Sequence, residues 1–179
     1  MDNKTKEVIL DAFNNLIEKK DFDKITVQMI LDEAGVGRAT FYRYFKDKYD
    51  VMNYNYMKFL EEYLINGKLN TFEDFFYIMT STGTEFFRDK IKIFDSTGAN
   101  SFHNFLYEAS FNAIKTIYFM RGKTEFTKVE EIQYKFLCHG IPYLYEGWIR
   151  GEYPDLSAKE AAKAIYDILP EPLKGNLWA

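Results

Sequence analysis

The stretch ITVQMILDEAGVGRATFYRYFKDKYDV, residues 25–51, decides the fold of this chain. It opens with Thr26, whose hydroxyl can cap a helix, and apolar residues then recur at spacings of three and four. This pattern ends at Gly35, and a second helical pattern with two inward phenylalanines begins after Gly37. Two short helices joined by a glycine-containing turn are the signature of a helix-turn-helix.

In a helix-turn-helix, the second helix enters the major groove of DNA with its N-terminal residues against the base edges. Arg38 and Arg43 can each form two hydrogen bonds with a guanine, whereas threonine and tyrosine hydroxyls suit phosphate oxygens. Lys48 opens the following helix, where its ammonium and the free backbone N–H groups could hold a phosphate together. The predicted DNA-binding residues are Thr26, Gln28, Gly37, Arg38, Ala39, Thr40, Tyr42, Arg43, Tyr44 and Lys48.

The charge of the chain is distributed unevenly. Its 179 residues carry a net charge of −4, yet residues 36–48 contain four basic side chains and one acidic side chain. A basic cluster is usually a solvated helix face, but the turn signature and the interleaved tyrosines favour contact with double-stranded DNA. A locally basic element on an acidic chain therefore predicts a nucleic-acid reader.

The sequence lacks the residue patterns that are typical of several function classes. The single cysteine, Cys138, excludes an intrachain disulfide, and no third or fourth ligand at a zinc-like spacing joins it with His103 or His139. Because no nucleophile–base pair, carboxylate pair or phosphate loop stands out, we expect neither an enzyme nor a bound metal or cofactor. No basic segment followed by a long apolar core opens the sequence, and no run of about 18 apolar residues occurs. We therefore expect a cytoplasmic protein without membrane contact.

The spacing of apolar residues predicts an all-α chain, and all four prolines lie at or beyond Pro142. We expect a three-helix head containing the helix-turn-helix in residues 1–47, a connecting helix in 48–66 and a helical body in 67–179. Capping-box pairs predict three helix starts in this body, at Thr71, Thr127 and Ser157.

The helix predicted at about 127–150 carries Gly140 and Gly147 two turns apart on one face. Glycine inside a helix costs roughly 1 kcal/mol relative to alanine, so this pair predicts the close approach of another helix. A final helix at about 158–169 offers a face of small and branched residues. We expect these two helices to mediate self-association. The predicted interface residues are Phe136, Gly140, Leu144, Gly147, Trp148, Ala161, Ala162 and Ile165.

Pro142 lies inside the 127–150 helix, where its ring should clash with the carbonyl of Cys138 and kink the helix. A kink opens space for an apolar or aromatic ligand, although aromatic residues at helical spacing more often form core than pocket. The predicted effector pocket comprises His103, Tyr107, Phe111, Cys138, His139 and Tyr143.

Residues 25–51 resemble the DNA-binding signature of the TetR-type transcriptional repressors. The shared features are a threonine that opens the second helix, Ala-Gly-Val at the turn, Thr-Phe-Tyr in the recognition helix, and Phe then Lys before the fourth helix. The resemblance implies a homodimeric, all-α regulator that binds a palindromic operator and responds to a small-molecule effector. It also implies that residues 67–179 bind the effector and form the dimer.

Many members of that family carry serine or asparagine where this chain has Gly37, so its recognition helix should have a slightly weaker N-cap. Residues 136–162 resemble a C-terminal class found in some regulators of dihydroxyacetone kinase operons. The alternative hypothesis is a small-molecule-binding or protein-interaction module that retains the fold without DNA activity.

Overall fold

The structure is a computed structural model that describes residues 2–98 and 100–177. Within these residues the α-helices are α1 (Asp2–Lys19), α2 (Val27–Ala34), α3 (Arg38–Tyr44), α4 (Lys48–Ile65), α5 (Phe72–Ile78), α6 (Thr84–Arg88), α7 (Phe102–Met120), α8 (Lys128–Ile149) and α9 (Ala158–Asp167). A π-helical turn, Met79–Gly83, joins α5 to α6. Single 3-10 turns occupy Phe22–Lys24, Ile91–Ile93 and Glu171–Leu173. Apart from one isolated bridge, Thr71 to Asn176, the described residues contain no β-structure, and the predicted all-α class is confirmed.

Capping boxes begin α5, α8 and α9, as the sequence predicted. In each box the cap hydroxyl accepts a hydrogen bond from the backbone N–H three residues later. The acid at that later position accepts one from the backbone N–H of the cap, so two otherwise unpaired donors are satisfied. The pairs are Thr71 with Asp74, Thr127 with Glu130, and Ser157 with Glu160.

The chain divides into two compact units, Met1–Glu62 with Asp89–Phe102, and Tyr63–Arg88 with His103–Ala179. The first unit therefore includes a segment, 89–102, that a linear division into 1–47, 48–66 and 67–179 assigns to the body. The described residues of this segment contribute three buried apolar side chains to the first unit, Ile93, Phe94 and Phe102.

The core of the first unit is built on phenylalanines from separate elements. Phe13 of α1, Phe22 of the following 3-10 turn and Phe41 of α3 are each at most 1% exposed. The rings of Phe13 and Phe22 meet edge to face, with centroids 6.2 Å apart. Full burial of such a side chain stabilises the fold by about 1.5–3 kcal/mol, so each of these phenylalanines holds its own element in the core of the first unit.

The core of the second unit lies among α5, α7, α8 and α9. Tyr134 of α8 is fully buried and belongs to the same apolar cluster as Phe76 of α5, Phe111 of α7 and Ala162 of α9. In the part of the chain that the structure describes, no helix combines the length and apolar character needed to span a membrane.

Candidate functional site

The turn between α2 and α3 is shaped by local hydrogen bonds. Thr26 Oγ1 accepts a hydrogen bond from the backbone N–H of Met29 at 3.2 Å, which caps α2. Gly35 ends α2 in the left-handed region, at φ 64°, where glycine avoids the clash of a Cβ atom. Gly37 precedes α3 with extended backbone and provides no side-chain cap. These features set the chain direction between the two helices.

The exposed face of α3 presents both predicted base readers, Arg38 and Arg43, together with Ala39 and Tyr42. Positions 38 and 42 lie one helical turn apart, as do 39 and 43, so their side chains share one side of the helix. The side chains at all four positions are exposed. The opposite side carries Phe41, which is fully buried. Thr40 and Tyr44 are half-buried on the flanks of this face, where the sequence placed hydroxyl groups for phosphates.

Arg38 is hydrogen-bonded to the preceding helix. Its Nη2 donates to Gln28 Oε1 at 3.0 Å, and Gln28 Nε2 in turn donates to Asp32 Oδ1 at 2.9 Å. All three side chains are exposed to solvent. Asp32 was not among the predicted site residues. Its four-residue spacing from Gln28 could have indicated the α2 pair, but only the fold brings Arg38 to that pair.

Arg43 lies against Tyr44. Its Nη2 donates to the Tyr44 hydroxyl at 2.9 Å, and its guanidinium carbon lies 4.8 Å from the ring centroid. This contact combines a hydrogen bond with a cation–π interaction, which restricts the rotamers of an otherwise flexible side chain. The remaining guanidinium donors still face solvent, since Arg43 is exposed.

The hydroxyl of Thr26 can make a second hydrogen bond in addition to the one that caps α2. The cap uses a lone pair of its hydroxyl oxygen, so the O–H can still donate to a phosphate. Gly37 is exposed, and a Cβ atom added to it would meet nothing within 4 Å. The backbone at this position is therefore open to an approaching ligand.

Lys48 does not point outward, contrary to its predicted role at a phosphate. Its ammonium donates to the carbonyls of Phe22, Asp23 and Ile25 at 2.8, 3.2 and 2.9 Å. It also lies 4.5 Å from the centroid of the Phe22 ring. Burial lowers the pKa of Lys48, and Asp23 and Asp47 partly oppose this. Sequence reasoning missed the inward role because the three carbonyls lie more than twenty positions earlier in the chain.

Five of the six predicted effector residues form a ladder of stacked rings along the contact of α7 with α8, and the sixth, Cys138, lies in the buried core. The ring of His103 stacks on Tyr143 with centroids 4.1 Å apart, and Tyr107 stacks on His139 at 4.0 Å. These pairings show that α7 and α8 run antiparallel. Phe111 extends the ladder by one turn, stacked on Tyr107 at 5.9 Å.

The environments of these six residues differ. Phe111 and Cys138 are buried in the core, and burial raises the pKa of the Cys138 thiol to about 12, which makes it a poor nucleophile. His103 Nε2 lies 3.0 Å from Glu146 Oε2, but burial lowers its pKa against the opposing effect of that carboxylate. His139 and Tyr143 are exposed. The helix α8 continues from Lys128 to Ile149 through the buried Pro142.

The eight predicted dimer residues separate into two groups. Phe136 and Leu144 are exposed on α8, and a Cβ atom added at Gly140 would meet nothing within 4 Å. The other five residues are engaged within the chain, which corrects their assignment to a free surface. They are Gly147, Trp148, Ala161, Ala162 and Ile165.

Those internal contacts have clear physical causes. A Cβ atom at Gly147 would lie 2.6 Å from Glu152 Oε2, so the side chain of Glu152, which follows α8, occupies the space beside this glycine where a second helix was expected. Trp148 Nε1 donates to the carbonyl of Thr80 and to Thr84 Oγ1, both at 2.9 Å. The small face of α9 lies in the core that it shares with α5, with Ala161 and Ala162 buried.

Comparisons with known proteins agree with this geometry. Residues 9–54 match the family described as bacterial regulatory proteins, tetR family. A curated relative from Lactococcus lactis subsp. lactis, an uncharacterized HTH-type transcriptional regulator in lacX 3'region, is 38% identical over 69 residues. The match covers 37% of this chain, which spans only 35% of the length of that relative.

Solved structures share the fold over nearly the whole chain. A TetR transcriptional regulator from Streptococcus agalactiae 2603V has a TM-score of 0.58 at 22% identity, covering 91% of this chain and 92% of that one. The dihydroxyacetone kinase operon activator DhaS has a TM-score of 0.54 at 20% identity, with 92% and 93% covered. The family match over residues 9–54 confirms the resemblance of the helix-turn-helix region, and the likeness to DhaS agrees with the second resemblance at the level of the fold.

Proposed function

We propose that this chain, whose residues 9–54 carry the DNA-binding domain of the tetR family of bacterial regulatory proteins, is a sequence-specific DNA-binding regulator of transcription. One observation carries the proposal: α3 exposes Arg38, Ala39, Tyr42 and Arg43 on one face while Phe41 anchors the other. A helix exposed in this way can enter the major groove, which is about 12 Å wide.

The exposed residues suit different parts of a DNA duplex. Arg38 and Arg43 are the base readers, because a guanidinium can bond guanine O6 and N7 together. Tyr42, Tyr44, Thr40 and Thr26 offer hydroxyl donors to phosphate oxygens, which set the register of the protein on DNA. Their contacts carry affinity, whereas the arginines carry discrimination between sequences.

We propose that the regulator binds a palindromic operator as a homodimer. Support comes from α8, which exposes five large apolar side chains at helical spacing in this chain: Val129, Ile132, Phe136, Tyr143 and Leu144. Phe136 alone is 73% exposed, and a surface of this kind favours burial against a second copy. The proposed interface is therefore the exposed face of α8 with Gly140, without the small face of α9. Two recognition helices about 34–36 Å apart would then meet successive turns of DNA.

We further propose repression that a small molecule relieves. A dimer that covers an operator blocks a promoter without any additional contact, so repression is the simplest outcome. The effector would bind along the contact of α7 with α8, where histidine and tyrosine rings stack. It must bind the conformation with incompatible recognition-helix spacing more tightly, because a ligand with equal affinity for both conformations shifts nothing.

Selection from a pool of random DNA duplexes tests the central proposal. The purified chain should enrich a palindrome, and Arg38→Ala should lose discrimination at one base pair of each half-site by about 1–3 kcal/mol. Tyr42→Phe, which removes only a hydroxyl, should weaken binding of all sequences alike. The absence of any enriched sequence, together with an affinity that does not depend on salt, would contradict DNA binding.

A reporter gene and a compound collection test the finer proposals. With the selected operator over a promoter, expression of the chain should lower transcription, and an increase would indicate activation instead. A compound that releases DNA from the wild-type chain but not from Tyr107→Ala would place the effector on α7 and α8. Release that is equal in both proteins would move the effector elsewhere.

A further inference from the structure

Asp32, Gln28 and Arg38 form a hydrogen-bonded chain that crosses from α2 to α3 on the exposed side of the helix-turn-helix. Gln28 and Asp32 lie one turn apart on α2, so their side chains share a face. Arg38 is the first residue of α3. The chain of hydrogen bonds therefore links a carboxylate on one helix to a candidate base reader on the next.

The three groups have a fixed order of donors and acceptors. A guanidinium only donates and a carboxylate only accepts, whereas the amide of Gln28 has one end of each kind. Because Asp32 accepts from the amide nitrogen, the amide oxygen must face Arg38. If the amide were rotated, its NH₂ would face the guanidinium and two donors would oppose each other. Asp32 therefore sets the direction in which Gln28 presents its acceptor.

We propose that Asp32 and Gln28 are positioning residues that hold Arg38 ready for one base contact, and that Asp32 is a specificity-determining residue although it touches no base itself. This inference rests on the proposed DNA-binding function. Ordering a long side chain before binding removes a cost equivalent to roughly 2- to 12-fold in affinity. The ordered guanidinium also favours the one base pair whose edge fits its direction over the other three possible base pairs at that position.

The negative charge of Asp32 adds to this effect. A carboxylate on the DNA-facing side repels every phosphate backbone and so lowers affinity for all duplexes. Only a DNA sequence whose base edge fits the oriented Arg38 regains the affinity that this repulsion removes. Asp32 therefore contributes to specificity by disfavouring wrong partners as well as by positioning the reader of the correct one.

Selection from random duplexes with four variants of the full chain tests the inference. Arg38→Ala identifies the base pair that Arg38 reads. We expect Asp32→Asn to reduce the preference at that same base pair by roughly 2- to 12-fold, with Gln28→Ala behaving alike. Glu33→Gln is the matched control, because it removes the same charge from the next residue of α2, where Glu33 accepts a hydrogen bond from Asn15 and not from Gln28. It should leave the preference at that base pair unchanged.

Distinct results separate the possible failures. If Asp32→Asn and Glu33→Gln change specificity equally, charge alone acts and the positioning role is wrong. If Asp32→Asn alters a base pair that Gln28→Ala affects but Arg38→Ala does not, Gln28 reads DNA itself and the inference is overturned. If the wild-type chain enriches no sequence at all, the proposed DNA-binding function fails first.

Discussion

At the scale of single residues, Lys48 shows how one ammonium can stabilise a loop. It donates to three backbone carbonyls of residues 22–25, the segment that joins α1 to α2. The Phe22 carbonyl also accepts the backbone N–H of Ile25, and the ammonium of Lys48 adds a side-chain donor for this and the two other carbonyls of the loop. Lys48 therefore stabilises the loop between α1 and α2.

We expect Lys48→Met, which keeps most of the side-chain stem, to lower the free energy of unfolding by about 1–2 kcal/mol. Urea unfolding at fixed protein concentration measures this change. Lys46→Met is the control, since Lys46 is exposed. If Lys48→Met leaves stability unchanged but reduces the salt dependence of DNA binding by about one phosphate contact, the lysine binds DNA after all.

Glu130 is a second residue whose charge matters locally. Its carboxylate accepts a hydrogen bond from the backbone N–H of Thr127, and this bond lowers its pKa below the ordinary 4.5. A carboxyl group with a lowered pKa in the folded state stabilises the protein above its unfolded pKa, and this contribution is lost as the pH falls through the folded pKa.

We therefore expect Glu130→Gln to lower the Tm at neutral pH, and the difference from the wild type to shrink as the pH falls below 4.5. Thermal unfolding followed by circular dichroism across this pH range measures the difference. Glu125→Gln, in the exposed loop before α8, serves as the control. A difference that stays constant with pH would mean that the charge of Glu130 does not act through the cap.

At the scale of elements, the α2–turn–α3 unit depends on two glycines with different roles. Gly35 has a left-handed backbone, whereas Gly37 has φ −74° and ψ 154°, which any residue can adopt. Only the first position requires glycine on conformational grounds. The second is an N-cap that lacks a side-chain acceptor.

We expect Gly35→Ala to destabilise the protein by about 1–2 kcal/mol, because the left-handed conformation costs a side-chain-bearing residue that much. Gly37→Ser should instead stabilise it by a few tenths of a kcal/mol, since serine can cap α3. Urea unfolding of the two variants side by side makes the comparison. Equal destabilisation by both would show that the turn has no such asymmetry.

At the scale of the whole molecule, some apolar helix faces are buried within the chain and others are exposed to solvent. The alanines of α9 are buried against the second-unit core, while α8 leaves Phe136 and its apolar neighbours exposed. Because a two-fold interface repeats each residue, one substitution in it acts twice. The proposed dimer is thus sensitive to a single charge on this face.

We expect Phe136→Glu to raise the dimer dissociation constant by about 100-fold or more, since repeated like charges across an interface cost several kcal/mol. Sedimentation at micromolar concentration measures the change, and affinity for the selected operator should fall with it. Ile65→Glu is the control at the end of α4, where Ile65 is 75% exposed against 73% for Phe136. A dimer that survives Phe136→Glu would place the interface on another surface.

The sequence by itself determined the all-α class, the helix-turn-helix and the capped starts of α5, α8 and α9. These features depend on contacts between residues three or four positions apart, such as Thr127 with Glu130, so a short stretch contains all the information. The candidate base readers also followed from it, because inward Phe41 fixes which side of α3 faces out.

Only the tertiary structure decided which of these side chains remain free to act. Lys48 meets carbonyls 23 to 26 positions away, Asp32 reaches Arg38 through Gln28, and the segment 89–102 joins the first unit. From the sequence alone, the alanine face of α9 could equally have met a second chain, whereas the fold buries Ala161 and Ala162 in the core of the second unit. In each case the partner is distant along the chain, so packing of the whole fold, and not local spacing, selects the contact.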